Sequence, residues 1–215
     1  MTNCKLASGI NPFFVFLICL ICSSSFFISY SQTVDSTASL KSGIAQFHEG
    51  NFSGAEISLN KAVELNPKNS DAFFYLAETQ FILNESKRAM ENYNKAIELN
   101  PTNPKPFKGR GRVKAKLGDF YGSIEDFTKA VELDKNYIDS FFNRGLSYLN
   151  LKDYKSAIAD FSKVIDINPK DFQAYEERGT AKFQSGDKKG ACKDWSKAGE
   201  LGYFKIYDII TKNCR

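Results

Sequence analysis

The sequence predicts an all-α protein, a right-handed solenoid of about five helix–turn–helix repeats that ends in a capping helix. Two observations support this prediction. Short motifs recur every 34 residues, so that Pro67, Pro101 and Pro169 occupy one register and Lys135 takes the same place between them. Within each unit, apolar residues follow helical spacing in two blocks separated by a short polar break. Such a unit cannot bury its apolar side alone, and we therefore expect successive units to stack.

Residues 1–31 contain the three parts of a secretory signal peptide. Lys5 supplies a basic start, residues 13–28 form an apolar stretch, and small residues precede a predicted cut after Ser31. Cleavage there would make the protein periplasmic or secreted. The alternative is a retained segment that anchors the chain in the inner membrane through residues 13–28, although Ser23–Ser25 interrupt the apolar run that a spanning helix needs.

The repeat array is predicted over residues 36–203, with small and aromatic residues at recurring positions. Small residues in both helices of a unit allow the paired helices to approach closely. Aromatic residues of the second helices fill the space between successive pairs. The first unit matches least well, because Ser39 and Ser42 replace large apolar residues. The predicted units are 36–69, 70–103, 104–137, 138–171 and 172–203.

The segment 204–215 is predicted to cover the end of the array. Ile206 follows Tyr203 by three residues, and Ile209 and Ile210 follow Ile206 by three and four. This spacing places the four residues on one helical face. The last unit of a solenoid needs an additional element over its exposed apolar side. We therefore predict a capping helix over residues 204–213.

The chain resembles the tetratricopeptide repeat (TPR) family in its large–small–aromatic–Ala–aromatic–Ala–Pro pattern. The pattern covers residues 36 to about 203 and is strong in four units and partial in the first. The resemblance implies an interaction module that binds a protein or peptide segment in a concave groove lined by the first helix of each repeat. The fifth unit, from Gly190 to Ala198 with a closing Cys214, is also similar to the terminal module of exported bacterial TPR proteins.

Removal of the signal peptide would leave two cysteines, Cys192 and Cys214. An even pair in an exported chain favours a disulfide, and the alternative is two unpaired thiols on separate helices. The similarity of the fifth unit to exported TPR modules, in which two such cysteines recur, implies the bond. Two cysteines without a neighbouring histidine fall short of a zinc site.

The TPR resemblance assigns the groove to defined positions of each first helix. In the third unit these positions carry a basic stripe with helical spacing of three and four residues. Combined with apolar neighbours, the stripe predicts a protein or peptide ligand of acidic character. The alternative is a solvated charged face without a partner. The candidate groove residues are Phe74, Glu78, Phe81, Lys105, Lys108, Arg112, Lys116, Phe142, Asn143 and Leu146.

One TPR subclass grips a C-terminal carboxylate with a clamp of Lys, Asn, Asn, Lys and Arg. Its positions correspond here to Lys108, Arg112, Asn143, Gln173 and Glu177. Only Lys108 and Asn143 agree with the clamp, and Glu177 has the opposite charge. The complete clamp is therefore not expected, while Lys108, Arg112 and Asn143 remain a candidate anion-binding trio.

The sequence carries none of the motifs expected of an enzyme. It lacks a Gly-rich phosphate loop, a metalloprotease helix motif and a nucleophile elbow. The single histidine, His48, lies at a predicted helix end and is expected to be a surface residue. A net charge of +4 is far below that of a typical nucleic-acid binder. We predict no enzymatic activity and no cofactor or metal, and membrane contact only through a retained N-terminal segment.

A structural role is the main alternative to peptide binding. In that case copies of the chain stack through their terminal faces as a homo-oligomer, and the groove stays empty.

Overall fold

The computed structural model describes residues 35–214, and every regular element in that range is an α-helix. The predicted signal peptide, its cut after Ser31 and the alternative anchor lie outside the described residues. No helix of the described range is both long and apolar enough to span a bilayer. Helix α1 covers residues 35–48, and the others are α2 (Phe52–Leu65), α3 (Ser70–Ile82), α4 (Ser86–Leu99), α5 (Pro104–Lys116), α6 (Phe120–Leu133), α7 (Ile138–Asn150), α8 (Tyr154–Ile167), α9 (Phe172–Gln184), α10 (Lys188–Glu200) and α11 (Ile206–Asn213).

Helix starts are set by Asn and Asp caps. The side chain of the N-cap residue accepts a hydrogen bond from a backbone N–H of the first turn, which would otherwise lack a partner. Helices α4 and α7 have no such side-chain bond, because Glu85 and Tyr137 precede them. The capping residues are Asn51, Asn69, Asn103, Asp119, Asp153, Asp171 and Asp187.

The turn inside each helix pair requires one residue in the left-handed region. Glycine supplies it at Gly50, Gly118 and Gly186, with φ of 78°, 83° and 98°. The second and fourth repeats use Asn84 and Lys152 in the same place, at φ of 67° and 61°. The turn geometry therefore repeats even where the glycine does not.

The helices stack as alternating first and second members of each pair. Each first helix packs against its own second helix and against the second helix of the preceding repeat. Successive first helices α3, α5, α7 and α9 also contact one another, whereas successive second helices within the described chain have no packing of similar extent. Because the first helices lie closer together, the array curves toward them and their outer face is concave.

The same steric contact recurs in the core of the third, fourth and fifth repeats. A glycine in the first helix faces an aromatic ring of its paired second helix, and a Cβ added there would lie 2.8 Å from Phe127 at Gly111 and 2.8 Å from Phe161 at Gly145. At Gly179 the same added atom would lie 2.6 Å from Trp195. These separations are below van der Waals contact, so no larger residue fits without displacing the ring. The predicted all-α repeat fold is confirmed.

Helix α11 caps the array as a shortened first helix. It begins at Ile206, 34 residues after the start of α9 at Phe172, which is the repeat period of the other first helices. Ile206 is fully buried against Trp195 and Ala198. Residues 203–205 form a turn rather than helix, and the Tyr203 ring stacks on Phe172 at 5.3 Å between centroids.

Cys192 and Cys214 meet at this cap. The sulfur atoms of Cys192 on α10 and Cys214 after α11 lie 2.07 Å apart, with 5.7 Å between the Cα atoms. This geometry accommodates a disulfide bond between the two residues.

Candidate functional site

The concave face formed by the first helices is the candidate functional site. Its side chains come from α3, α5, α7 and α9, which neighbour one another in that order. Several of them form hydrogen bonds or ion pairs with side chains of the neighbouring repeat, so polar contacts hold the face together.

Arg112 is central to the part of the face formed by the second and third repeats. Its Nη1 lies 3.4 Å from Oε2 of Glu78, and its guanidinium lies 4.5 Å from the ring centroid of Phe81. The Nζ of Lys116 lies 5.1 Å from the same ring and donates to Oδ1 of Asn84. Arg112 is therefore engaged with an aromatic ring and a carboxylate of the neighbouring repeat, whereas Lys116 contacts that ring and an amide oxygen and has no ion pair within residues 35–214.

Tyr93 reaches this cluster from the second helix α4. Its hydroxyl donates to Oε1 of Glu78, and burial together with the Glu78 carboxylate raises the pKa of Tyr93. Gly109 makes this reach possible, because a Cβ at that position would lie 2.3 Å from the Tyr93 ring. The neighbouring Tyr137 is also affected, since burial and the Asp139 carboxylate raise its pKa to about 12.

The three residues of the anion-binding trio predicted from the sequence all have partners within the protein. The Nζ of Lys108 lies 3.4 Å from Oδ2 of Asp139, and the Asn143 amide donates to the Asp139 carbonyl oxygen at 2.6 Å. Arg112 is paired with Glu78. Lys105, by contrast, is exposed and has no ion pair within residues 35–214.

Phe74 departs from its predicted role. Only 8% of its surface is exposed, and it packs in the core with Ala77, Tyr93 and Val113. An aromatic side chain without a polar end gains more by this burial than by facing solvent. Phe74 therefore supports the face from beneath and offers little surface to a ligand.

The fourth repeat supplies the apolar part of the face. Phe142 and Leu146 are half-buried and pack on the cluster around Phe161, with the Phe142 and Phe161 centroids 5.6 Å apart. Of the two remaining clamp positions on α9, Gln173 is exposed and Glu177 is half-buried.

The sequence analysis missed a second polar system, which lies between the paired helices. In the third, fourth and fifth repeats an arginine of the first helix forms two hydrogen bonds with an aspartate of the second helix, at 2.6–2.9 Å. The same arginine also donates to the preceding second helix, at Asn94, Thr128 and Ser162 in turn. Both residue types recur every 34 positions, a signal that could have revealed the pairs. We call the pairs Arg110–Asp126, Arg144–Asp160 and Arg178–Asp194 the arginine–aspartate ladder.

The described residues hold no group of His, Cys, Asp and Glu arranged for a metal ion. His48 is exposed at the end of α1, with edge-on ring contacts to Phe47 at 5.6 Å and Tyr75 at 6.3 Å.

Three family models match the chain, and each describes a tetratricopeptide repeat. They cover residues 138–171, 58–91 and 109–137. No curated protein sequence matches the chain.

Several solved structures have a fold similar to that of this chain. A crystal structure of MamA is 25% identical with a TM-score of 0.70, and the alignment covers 77% of this chain and 96% of MamA. YrrB, described as a TPR protein with an unusual peptide-binding site, is 19% identical with a TM-score of 0.70 over 80% of this chain and 90% of YrrB. PilF of Pseudomonas aeruginosa is 22% identical with a TM-score of 0.71 over 80% of this chain and 78% of PilF.

Proposed function

We propose that this chain, an all-α solenoid with three segments that match tetratricopeptide repeat models, is a non-enzymatic interaction module that binds a protein or peptide segment along its concave face. The supporting observation is that side chains of successive repeats converge on this face and are ordered there by bonds such as Arg112 to Glu78. A face that is already ordered loses less conformational entropy when it binds a ligand. YrrB, which has the same fold, is described as having a peptide-binding site.

The apolar and charged parts of the face have different roles in this proposal. Phe142 and Leu146 supply apolar surface for a ligand side chain. Lys105 and Lys116 are exposed and attract acidic residues of the ligand toward the third repeat. An acidic stretch of the ligand is thus expected beside α5.

Replacing Lys105 and Lys116 together by glutamate tests this assignment. Arg112 is left intact, because it packs on Phe81 and pairs with Glu78. We expect a protein captured from envelope extract by the full chain to be lost from the Lys105→Glu, Lys116→Glu variant and retained by Lys163→Glu. Lys163 is an exposed lysine of the second helix α8 and serves as the matched control. Equal retention by all three proteins would remove the basic positions from the proposal.

We also propose that the chain is exported and that Cys192 and Cys214 are joined there as a disulfide. The signal-like residues 1–31 and the proximity of the two sulfur atoms support this. N-terminal sequencing of the protein isolated from the envelope should begin near Gln32. A gel shift on thiol alkylation should appear only after reduction, and a shift without reductant would show free thiols.

The C-terminal end of the array argues against the self-stacking alternative. Asp208 of α11 occupies the register of Ala174, which is fully buried in the fifth repeat, and Asp208 itself is exposed. A charged residue at that position opposes burial against another repeat. Light scattering over a concentration series should therefore give a constant mass, whereas a mass that grows with concentration would favour stacking.

A further inference from the structure

Glu177 lacks the ion pair or hydrogen bond that most of the carboxylates short of full exposure have. It is half-buried, yet it has no hydrogen bond and no ion pair within residues 35–214. Its neighbour Glu176 is also half-buried, and interaction with the Glu176 carboxylate raises the pKa of Tyr203. The remaining carboxylates of this kind all have partners, and they are Glu56, Glu78, Glu85, Asp126, Asp160, Asp171 and Asp194.

No basic side chain of residues 35–214 lies within 4.0 Å of the Glu177 carboxylate as an ion-pair partner. Burial and the neighbouring Glu176 raise the pKa of Glu177, and no basic group counteracts them. A half-buried carboxylate without a partner costs free energy, and such groups are concentrated at functional sites.

The position of Glu177 follows from its neighbours on α9. It lies between Ala174 and Ala181 on one stripe of the helix, three residues after the first and four before the second. Both alanines are fully buried against the fourth repeat, and Phe142 packs on both of the clusters that contain them. Glu177 therefore lies on the side of α9 that faces the fourth repeat, where Phe142 of α7 packs against both clusters.

Another part of the concave face shows which kind of group binds beside a carboxylate and an aromatic ring. In the second and third repeats, Glu78 and Phe81 are joined by the guanidinium of Arg112, 3.4 Å from the carboxylate and 4.5 Å from the ring centroid. The positions 34 and 68 residues after Arg112 are Leu146 and Thr180, so neither α7 nor α9 supplies a cation at that position.

We propose that the junction of α7 and α9 binds a basic side chain of the partner segment, with Glu177 as the pairing carboxylate and Phe142 and Leu146 as the surface for its methylene groups. Arginine and lysine both combine an apolar stem with a cationic head, which suits this combination of surfaces. The inference rests on the proposed function of the concave face and names one feature of the ligand. With Lys105 and Lys116 on α5, it also orients the segment, whose acidic part lies at the third repeat and whose basic residue lies at the fifth.

Selection from a library of random peptides on the immobilised full chain tests the inference. The wild-type chain should select peptides that share an arginine or lysine. Glu177→Gln should lose that preference, and Glu177→Lys should select acidic residues in its place. Glu125→Gln changes an exposed glutamate on the second helix α6 and should select as the wild type does.

A selected peptide then permits a direct measurement of the pair. Replacing its basic residue by methionine should weaken binding to the wild-type chain about tenfold or more, because a charge-assisted hydrogen bond is lost. The same replacement should leave the affinity for Glu177→Gln unchanged, since that variant has no charge to pair.

The outcomes separate this inference from the proposed function. Peptides that bind the concave face without a basic residue, or whose basic residue is equally favoured by Glu177→Gln, would overturn the role of Glu177 and leave the groove proposal standing. If no peptide is selected by any variant, both proposals fail. Because Glu177 has no ion pair or hydrogen bond within residues 35–214, its glutamine variant should fold, which a thermal melt verifies.

Discussion

The last three repeats and the first two join their paired helices in different ways. The third, fourth and fifth repeats use the arginine–aspartate ladder, whose carboxylates are almost fully buried. In the first repeat the corresponding residues are Ser42 and Ser58, whose hydroxyl oxygens lie 3.5 Å apart. In the second they are Leu76, which is buried, and Asn92, which bonds Gln80 instead.

This comparison shows that the helix pair does not require the ladder. The same pairing forms around a leucine, two serines or an ion pair, because the small and aromatic core residues direct it. The ladder adds a link to the preceding repeat through Asn94, Thr128 and Ser162. Since the stability of a solenoid depends on its interfaces between repeats, we expect unfolding to start in the first two.

The largest expected effect comes from breaking one pair of the ladder. Arg144→Ala leaves the Asp160 carboxylate buried and unpaired, and should lower the free energy of unfolding by about 3–5 kcal/mol. Urea denaturation measures the change. Arg88→Ala is the control, because Arg88 is half-exposed and its ion pairs should contribute less than about 1 kcal/mol. Similar losses in the two variants would contradict the distinction.

Reduction of the cysteine pair should weaken the C-terminal region further. A bond between Cys192 and Cys214 closes a loop of 22 residues in sequence and should contribute about 3 kcal/mol on the chain-entropy model. Trp195, the single tryptophan, lies beneath the cap with 3% exposure and reports on this region by fluorescence. Urea transitions with and without reductant give the difference, and coincident transitions would show that the bond is absent or without effect.

The unpaired Glu177 should give a smaller, pH-dependent effect. Burial and Glu176 raise its pKa above the ordinary 4.5, so the folded chain holds a proton that the unfolded chain releases. Its contribution to stability is thus complete below about pH 4.5 and is lost as the pH rises through the raised pKa. Glu177→Gln should stabilise the chain at pH 7 and have little effect at acidic pH. Melts at several pH values test this, and a destabilised variant at pH 7 would indicate an overlooked partner.

The smallest effect is expected in the first repeat, at the position of the ladder arginine. Ser42 is exposed and its hydroxyl lies 3.5 Å from that of Ser58, so Ser42→Ala should change stability by less than about 0.5 kcal/mol. Compared with Arg144→Ala in the same denaturation experiment, this variant measures the difference between the two regions. A loss near that of Arg144→Ala would show that this position matters equally in every repeat.

The concave face was predictable from the repeat register only in part. The register identifies which residues of a first helix point to that face, and it indicated Lys108, Arg112 and Phe142. It cannot show that Lys108 pairs with Asp139 and Arg112 with Glu78, because those partners come from neighbouring repeats, 31 and 34 residues away. For the same reason the sequence showed only that Glu177 has the wrong charge for the carboxylate clamp. That Glu177 has no ion pair or hydrogen bond within residues 35–214 follows from the packing of the helices.

The sequence by itself determined the all-α repeat architecture, because the 34-residue period, the helical spacing of apolar residues and the small residues opposite aromatic rings act locally within each unit. The tertiary structure alone decided which charges remain available on the concave face. Ion pairing depends on separations of a few ångströms between side chains of different repeats, and those separations are set by how the helices stack. Glu177 remained unpaired for that reason. Phe74 is buried because residues of α4 and α5 pack over it.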